Sequence, residues 1–464
     1  MPGTADRVGP STWFQDEFGF KETPALDAAG HEETKSHFTC AAGVLTCKAT
    51  GKMFQVGPWS TPTLEKCQER LDAKLAEGPA EGYSDAGGLT FENIVGDTMD
   101  LHRDPENAGA VFQVSTLFNC LETTEGKTPI DPLTRYAEHQ LQGSACAVAC
   151  PAATVFRNFF VNGGQGQAQD QVDCLSAVAL HAVKDASSYW TMQNGFCMPR
   201  VPGSVAKVSN LIAKDPVLGN SVRQNVQVGV HWDTEVAGGS HSVCQVFCSS
   251  LPVGMMKAVR SCDWEAFATV ILEAVYEATL AVAALFAARR GTRVKVYLTA
   301  VGGGMLGNRT AWISEAIDRA LSLHKKQPLD VMLVHYATLP RENGFARLEV
   351  GRRDPTVMPA GAGRLDRSVS QHLIGLGLEK PAPALEAQIM AAFASYDVNG
   401  DGVIDYAEFY RMLSTVDPNF FTAKVVKTLL TEADADGDGE VHYAEFVAWV
   451  CQEDEDIIGR LIPQ

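Results

Sequence analysis

Basic residues, paired cysteines and the familiar nucleotide signatures are what this chain has least of. Its 464 residues carry 38 Lys and Arg against 56 Asp and Glu, a formal net charge of −18, which argues against an electrostatic partner such as nucleic acid. Twelve cysteines are scattered without a Cys-x-x-Cys pair, and their closest spacings, Cys146/Cys150 and Cys244/Cys248, fit neither a zinc ribbon nor a small disulfide framework. Met1-Pro-Gly-Thr-Ala-Asp-Arg7 has no apolar signal core. The expectation is an intracellular, cytoplasmic protein with reduced thiols. One segment tests this, because 266–288 is almost continuously apolar. Glu273 and Glu277 lie one helical turn apart within it, and each would cost about 2.5–3.5 kcal/mol at mid-membrane. A long buried helix is expected there, not a membrane span.

What the chain does have is a repeated acidic loop. Asp397-Val-Asn-Gly-Asp-Gly-Val-Ile-Asp-Tyr-Ala-Glu408 returns 37 residues later as Asp434-Ala-Asp-Gly-Asp-Gly-Glu-Val-His-Tyr-Ala-Glu445. Each copy has oxygen side chains at positions 1, 3 and 5, glycine at 6, a β-branched residue at 8 and glutamate at 12. A hard cation takes about six to eight oxygens, and a twelve-residue loop wraps them only if the chain turns sharply at its centre. Two EF-hands binding two Ca²⁺ ions are expected. In the first, Asp397, Asn399, Asp401, the carbonyl of Val403, Asp405 and Glu408 are the ligands; in the second, Asp434, Asp436, Asp438, the carbonyl of Glu440, and Glu445. His442 stands at position 9 of the second loop, where a neutral imidazole is a poor Ca²⁺ ligand and weaker binding is expected. From Ala382 onward there are sixteen acidic and four basic side chains, so most of the acidity belongs to this module, and cations relieve its self-repulsion. An apolar groove from Ile389, Phe393, Phe409, Met412, Val426, Leu429, Phe446 and Val450 is expected to take a helix of the first domain or of a partner.

The preceding chain divides into an N-terminal extension (1–87), an α/β domain (88–345) and an Arg-, Gly- and Pro-rich linker (346–383), before the all-α EF-hand pair (384–464). A hairpin is expected over 38–59 with a turn at Gly51-Lys52, then a helix led in by Ser60 or Thr61 with Leu64, Cys67, Leu71 and Leu75 on one stripe. Strands are expected at 91–95, 110–115, 226–233, 243–249, 294–300 and 329–335, and helices at 143–160, 264–290 and 312–324. The strands at 226–233 and 243–249 should be antiparallel. This is the grammar of a mixed sheet with helices on both faces.

One loop in that grammar suggests a ligand. Gly302-Gly303-Gly304 with Gly307-Asn308 follows a strand and precedes a helix, so its unhindered amides and the helix N-terminus can cradle a phosphate or diphosphate. The spacing is not Gly-x-Gly-x-x-Gly and no Lys-Ser/Thr follows, which excludes the Rossmann and P-loop readings. Together with Ile94-Val-Gly96-Asp97-Thr98 and Phe118-Asn119, the segment Thr299-Ala-Val-Gly-Gly-Gly-Met-Leu-Gly-Asn308 resembles the macro domain, a fold that binds ADP-ribose, over roughly residues 88–340. The resemblance implies that Asp97 accepts a hydrogen bond from the adenine amino group. It implies further that Asn119 lies near the distal ribose and that the loop from Gly302 to Asn308 wraps the diphosphate. The family's Asn-Ala-Ala-Asn run and following glycines are absent; Asn119-Cys-Leu-Glu122, an insertion and Tyr136-Ala-Glu138-His139-Gln-Leu-Gln142-Gly143-Ser144 stand there instead. Nor is the double-glutamate signature of poly(ADP-ribose) glycohydrolases present. For a hydrolase, Glu138 or His139 is the candidate general base, with Gln142 and the Gly143 and Ser144 amides holding an oxygen. His231-Trp-Asp233-Thr-Glu235 would set two carboxylates on one strand face, whereas Cys146 and Cys150 read as core. The alternative is a non-enzymatic Ca²⁺ sensor whose α/β domain is a protein-interaction scaffold.

Overall fold

The order of strands explains where a ligand can go. In the computed structural model, residues 12–348 are described except for 24–27, 84–86, 124–131, 140, 165–170, 239–240, 257–258, 337–338 and 340–343, together with 403–404 and 441–442. The chain separates into two compact units, Met1–Pro355 and Thr356–Gln464.

In the first unit, α1 (Trp13–Phe18) and α2 (Ala28–Ser36) precede β1 (Phe38–Ala41), β2 (Val44–Cys47) and β3 (Met53–Gln55), which form an antiparallel meander. The expected 38–59 hairpin is therefore larger than a hairpin, and its last residues do something else. β4 (Trp59–Ser60) leaves the meander and pairs with the main sheet. That sheet has seven strands in the order β4-β9-β10-β6-β11-β12-β5, with β5 at Thr90–Val95, β6 at Val111–Ser115, β9 at Gly229–Glu235, β10 at Ser242–Cys248, β11 at Val294–Leu298 and β12 at Leu329–His335. Strands β10, β6, β11, β12 and β5 run parallel, and β9 is antiparallel to β10 as expected. A separate hairpin joins β7 (Trp190–Gln193) to β8 (Phe196–Pro199).

Side-chain alternation splits the strands between two faces. Val111, Cys244, Val296, Val331 and Leu333 point into the larger core cluster, whereas Phe112, Val243, Tyr297 and Met332 point into the other. The larger core is built on α3 (Leu64–Glu77), α7 (Ser204–Lys214), α8 (Pro216–Asn225), α9 (Glu265–Arg290) and α10 (Thr310–Leu323). The opposite face is covered by α4 (Thr98–Arg103), α5 (Gln142–Ala149) and α6 (Pro151–Phe159). The mixed α/β fold class is thus observed.

α9 is the one helix among the described residues long and apolar enough to cross a membrane, and it is buried inside the unit. Two of its three carboxylates face arginines: Glu277 lies 2.6 Å from Arg319 and 3.8 Å from Arg223, and Glu273 is 2.9 Å from Arg223. Pairing is what a buried carboxylate requires.

The helix expected over 143–160 is two helices. Pro151 opens α6, and Cys150 before it sits at φ −124, ψ 71, because the proline ring pushes the preceding residue out of the helical region. Asp233 and Glu235 do not act together either. Asp233 has φ 48, which breaks the alternation, and pairs with Arg290 at 2.9 Å, while Glu235 accepts from the Gln55 amide at 2.9 Å. Cys146 and Cys150 are buried core residues as expected.

In the second unit, β13 (Val403–Ile404) pairs antiparallel with β14 (Val441–His442), Ile404 opposite Val441 and Val403 opposite His442. The two central partners are the position-8 residues of the two acidic loops. The expected side-chain ligands Asp397, Asn399, Asp401, Asp405, Glu408, Asp434, Asp436, Asp438 and Glu445, the expected carbonyl ligand Glu440, and the expected groove residues lie outside the described residues, as does the linker beyond Leu348.

Candidate ligand-binding site

A parallel sheet opens a crevice where neighbouring strands send their following helices to opposite faces. β6 leads through 116–141 to α5 on one face, and the adjacent β11 leads through 299–309 to α10 on the other. The loops beyond the carboxyl ends of β6 and β11 therefore flank the site.

The loop after β11 is held from behind and open in front. Asn308, 4% exposed, donates through Nδ2 to Ser250 Oγ at 3.0 Å and to the Leu251 carbonyl at 2.8 Å, and its own amide bonds Gly302 O at 2.9 Å. Gly302 (φ 75) and Gly307 (φ 64) take left-handed backbone against close neighbours; a Cβ on Gly302 would strike Ser250 Oγ, and one on Gly307 would lie 2.6 Å from Gly254 Cα. Val301 N donates to Tyr276 Oη at 2.9 Å. These bonds leave the successive amides of Gly304, Met305 and Leu306 without an acceptor among the described residues. Gly303, Gly304 and Met305 are exposed, and nothing lies within 4 Å of where a Gly304 Cβ would be. α10 begins beside them with no side-chain cap. Open amides next to an uncapped helix start form an anion cradle.

The loop after β6 is different. Asn119 is 2% exposed, donates to Gln171 Oε1 at 3.2 Å and accepts from the Leu121 amide at 3.1 Å. Gln142 accepts from Ser115 N at 2.9 Å and donates to Gln113 O at 2.9 Å, closing the end of β6. Ser144 is fully buried. Glu138 is exposed at the end of a 3₁₀ turn (Leu133–Glu138) and lies 3.7 Å from Arg135, while the His139 amide bonds the Tyr136 carbonyl at 3.3 Å. That turn is latched from the N-terminal extension, because Glu22 accepts from the Leu133 and Thr134 amides at 2.8 and 2.6 Å. Asp97 caps α4, accepting from Met99 N at 2.7 Å. It stands at the end of β5, separated from β11 by β12.

One residue here was not a candidate from sequence. Glu122 places Oε1 against the first turn of α5, in the space a side chain at Gly143 would need, and α5 has no side-chain cap of its own. Burial raises its carboxyl to about 7; the Thr116 hydroxyl and the Arg157 charge pull the other way without offsetting it. Arg157 is itself buried, bonded to Thr154 Oγ1 at 3.1 Å and stacked over Phe247 at 3.9 Å. A carboxyl poised between its two protonation states at a helix N-terminus can hold or move a proton. Its environment comes from three separated segments, so no local signal marks it.

Residues 386–451 match the family described as an EF-hand domain pair, which makes this segment a calcium-binding module. No curated protein matches the chain. Among solved structures, the chain is similar to poly(ADP-ribose) glycohydrolase from Deinococcus radiodurans in complex with ADP-ribose, at 11% identity over 63% of this chain and 92% of that one, with a TM-score of 0.31. It is also similar to poly(ADP-ribose) glycohydrolase from Thermomonospora curvata bound to the inhibitor ADP-HPD, at 13% identity over 69% and 97%, with a TM-score of 0.32. A point mutant of the latter enzyme gives 12% and 0.33 over the same shares.

Proposed function

We propose that the α/β unit binds an ADP-ribose-type nucleotide between the β6 and β11 loops and that the tail binds two Ca²⁺ ions. The observation that carries the nucleotide reading is the run of open amides at Gly304, Met305 and Leu306 beside the α10 N-terminus, at the sheet's switch point. The motif resemblance of 94–98, 118–119 and 299–308 to the macro domain supports the same ligand class. Asn119 and Gln142 act from within the loop, as supports, and Asp97 keeps one carboxylate oxygen beyond its cap for an adenine amino group. Titration calorimetry of the full chain with ADP-ribose tests this; saturable one-site binding is expected, and no heat at millimolar ligand overturns it.

The Ca²⁺ reading rests on oxygen ligands at the required spacing and on loops whose position-8 residues pair. Glu408 and Glu445 would supply bidentate carboxylates, the oxygen side chains at positions 1, 3 and 5 further ligands, and Asp405 with the Val403 and Glu440 carbonyls the remainder. Equilibrium dialysis is expected to count two ions in the native chain and one in Glu408→Gln. A count of one in the native chain would remove the second site, the one carrying His442. Reduced thiols favour an intracellular location, and eleven cysteines among the described residues are free.

One observation favours a second reading, turnover of an ADP-ribose linkage: the near-neutral Glu122 carboxyl at the α5 N-terminus. Release of ADP-ribose from modified protein, lost in Glu122→Gln, would establish it; binding without release leaves a binding module.

A further inference from the structure

The crevice between the two loops is filled by the protein itself. The hairpin β7–β8 turns at Asn194 (φ 48) and Gly195 (φ 83), both left-handed, which gives the tight two-residue connection that matches strand twist. Its base is fixed, since Trp190 is 5% exposed and its ring packs, tilted, at 5.4 Å against Phe267 of α9. Its tip reaches the site. Gly195 O accepts from the Phe118 amide at 3.0 Å, and a Cβ on Gly195 would stand 2.6 Å from Asn119 Oδ1 and 2.8 Å from Leu117 Cβ. Immediately beyond, Phe196 forms one buried apolar cluster with Leu117 of the β6 loop and Leu306 of the β11 loop, with Met198 against it. Leu306 is also one of the three residues whose amides are open. The aromatic ring thus bridges the two loops that a nucleotide diphosphate would have to bridge.

We propose that the β7–β8 hairpin is an autoinhibitory plug, with Phe196 occupying the crevice and leaving when ligand enters. This rests on the nucleotide reading of the same site. A hairpin anchored at its base, whose tip meets the β6 loop through the Gly195 carbonyl and the Phe196 ring, is suited to swing while the sheet stays fixed. Ligand binding then carries the cost of displacing the tip, and the apparent affinity falls by the fraction of molecules that are open.

Two measurements on the full chain test the plug with ADP-ribose as probe. In the native protein, saturating ADP-ribose is expected to speed hydrogen exchange of the Phe118 amide by about tenfold or more, because its bond to Gly195 O opens. In Phe196→Ala the calorimetric affinity is expected to tighten by about tenfold, with Phe196→Leu staying near the native value because it still fills the space. Slower or unchanged exchange at Phe118 in the bound state overturns the plug, and so does weaker binding by Phe196→Ala, which would make Phe196 part of the ligand's wall. Absence of binding to native and variant proteins alike overturns the plug together with the nucleotide reading. The exchange measurement needs no substitution and stands even if a variant fails to fold.

Discussion

The loops after β6 and β11 stand side by side at the same end of the sheet, and they use their polar groups in opposite ways. In the β11 loop, Asn308 and two left-handed glycines turn the binding work over to backbone amides, three of which have no acceptor among the described residues. In the β6 loop the side chains named from sequence turn inward: Asn119 bonds Gln171, Gln142 completes the edge of β6, and the α5 N-terminus is met by the protein's own Glu122. Backbone donors need only a fixed loop, whereas side-chain chemistry needs atoms left over after folding. The contrast separates a cradle ready for an anion from a half-site whose remaining chemistry lies in one carboxyl.

The strongest way to break this contrast is to disturb the frame of the open loop. Gly302→Ala places a Cβ on left-handed backbone into Ser250, and a loss of roughly 3–5 kcal/mol is expected in chemical denaturation. A loss below about 1 kcal/mol would mean the loop relaxes freely and is no preformed cradle.

Glu122 gives the next largest effect, and its sign depends on pH. Its folded carboxyl is raised from 4.5 to about 7, so its contribution is fully present below the unfolded value and is lost as pH rises through 7. Glu122→Gln is expected to be more stable than the native chain at pH 8, by on the order of 2 kcal/mol, with the difference vanishing near pH 4. The buried histidines act oppositely. Burial lowers His102 and His324 to about 4 and His231 well below its usual range, so the stability they contribute is present above 6.5 and falls as pH drops toward 4. Melting curves from pH 4 to 8 should therefore fall on both sides in the native chain, and mainly on the acid side in Glu122→Gln. A native curve flat from pH 6 to 8 would contradict the Glu122 assignment.

Gln142→Ala sharpens the comparison further. It removes bonds to Ser115 N and Gln113 O and is expected to cost roughly 1–3 kcal/mol of stability while leaving ADP-ribose affinity within about threefold. Lost affinity at unchanged stability would instead make Gln142 a ligand residue. The smallest effect is expected at the exposed Glu138, whose pair with Arg135 spans 3.7 Å. Glu138→Gln should shift stability by under about 0.5 kcal/mol and leave binding unchanged, and any loss of ligand release on this substitution would restore it as a general base.

What could be read from sequence was whatever is written locally. The EF-hand pair is written in two twelve-residue repeats, the core strands announce themselves by alternation, and the glycine loop by its place between strand and helix. Pro151 was also local, yet the apolar stripe on both sides of it concealed the break. The Asn194-Gly195 turn between Trp-Thr-Met-Gln and Phe-Cys-Met-Pro is a hairpin signal that would have revealed the covering element. The fates of Asn119 and Gln142 were not legible, because their partners Gln171 and Ser115 are 52 and 27 residues away. The same is true of Trp59 and Ser60, whose place in the main sheet is set by β9, some 170 residues on.

Gly304 allows the central claim to be tested without disturbing the fold, since a Cβ there meets nothing within 4 Å and its own amide is one of the three without an acceptor among the described residues. Calorimetric titration of ADP-ribose into the native chain and into Gly304→Val, with melting temperatures measured alongside, is the direct measurement. The account predicts one-site binding by the native chain, weakened at least about tenfold in Gly304→Val at unchanged melting temperature. Equal affinity in the two proteins, or no binding by the native chain, would contradict it.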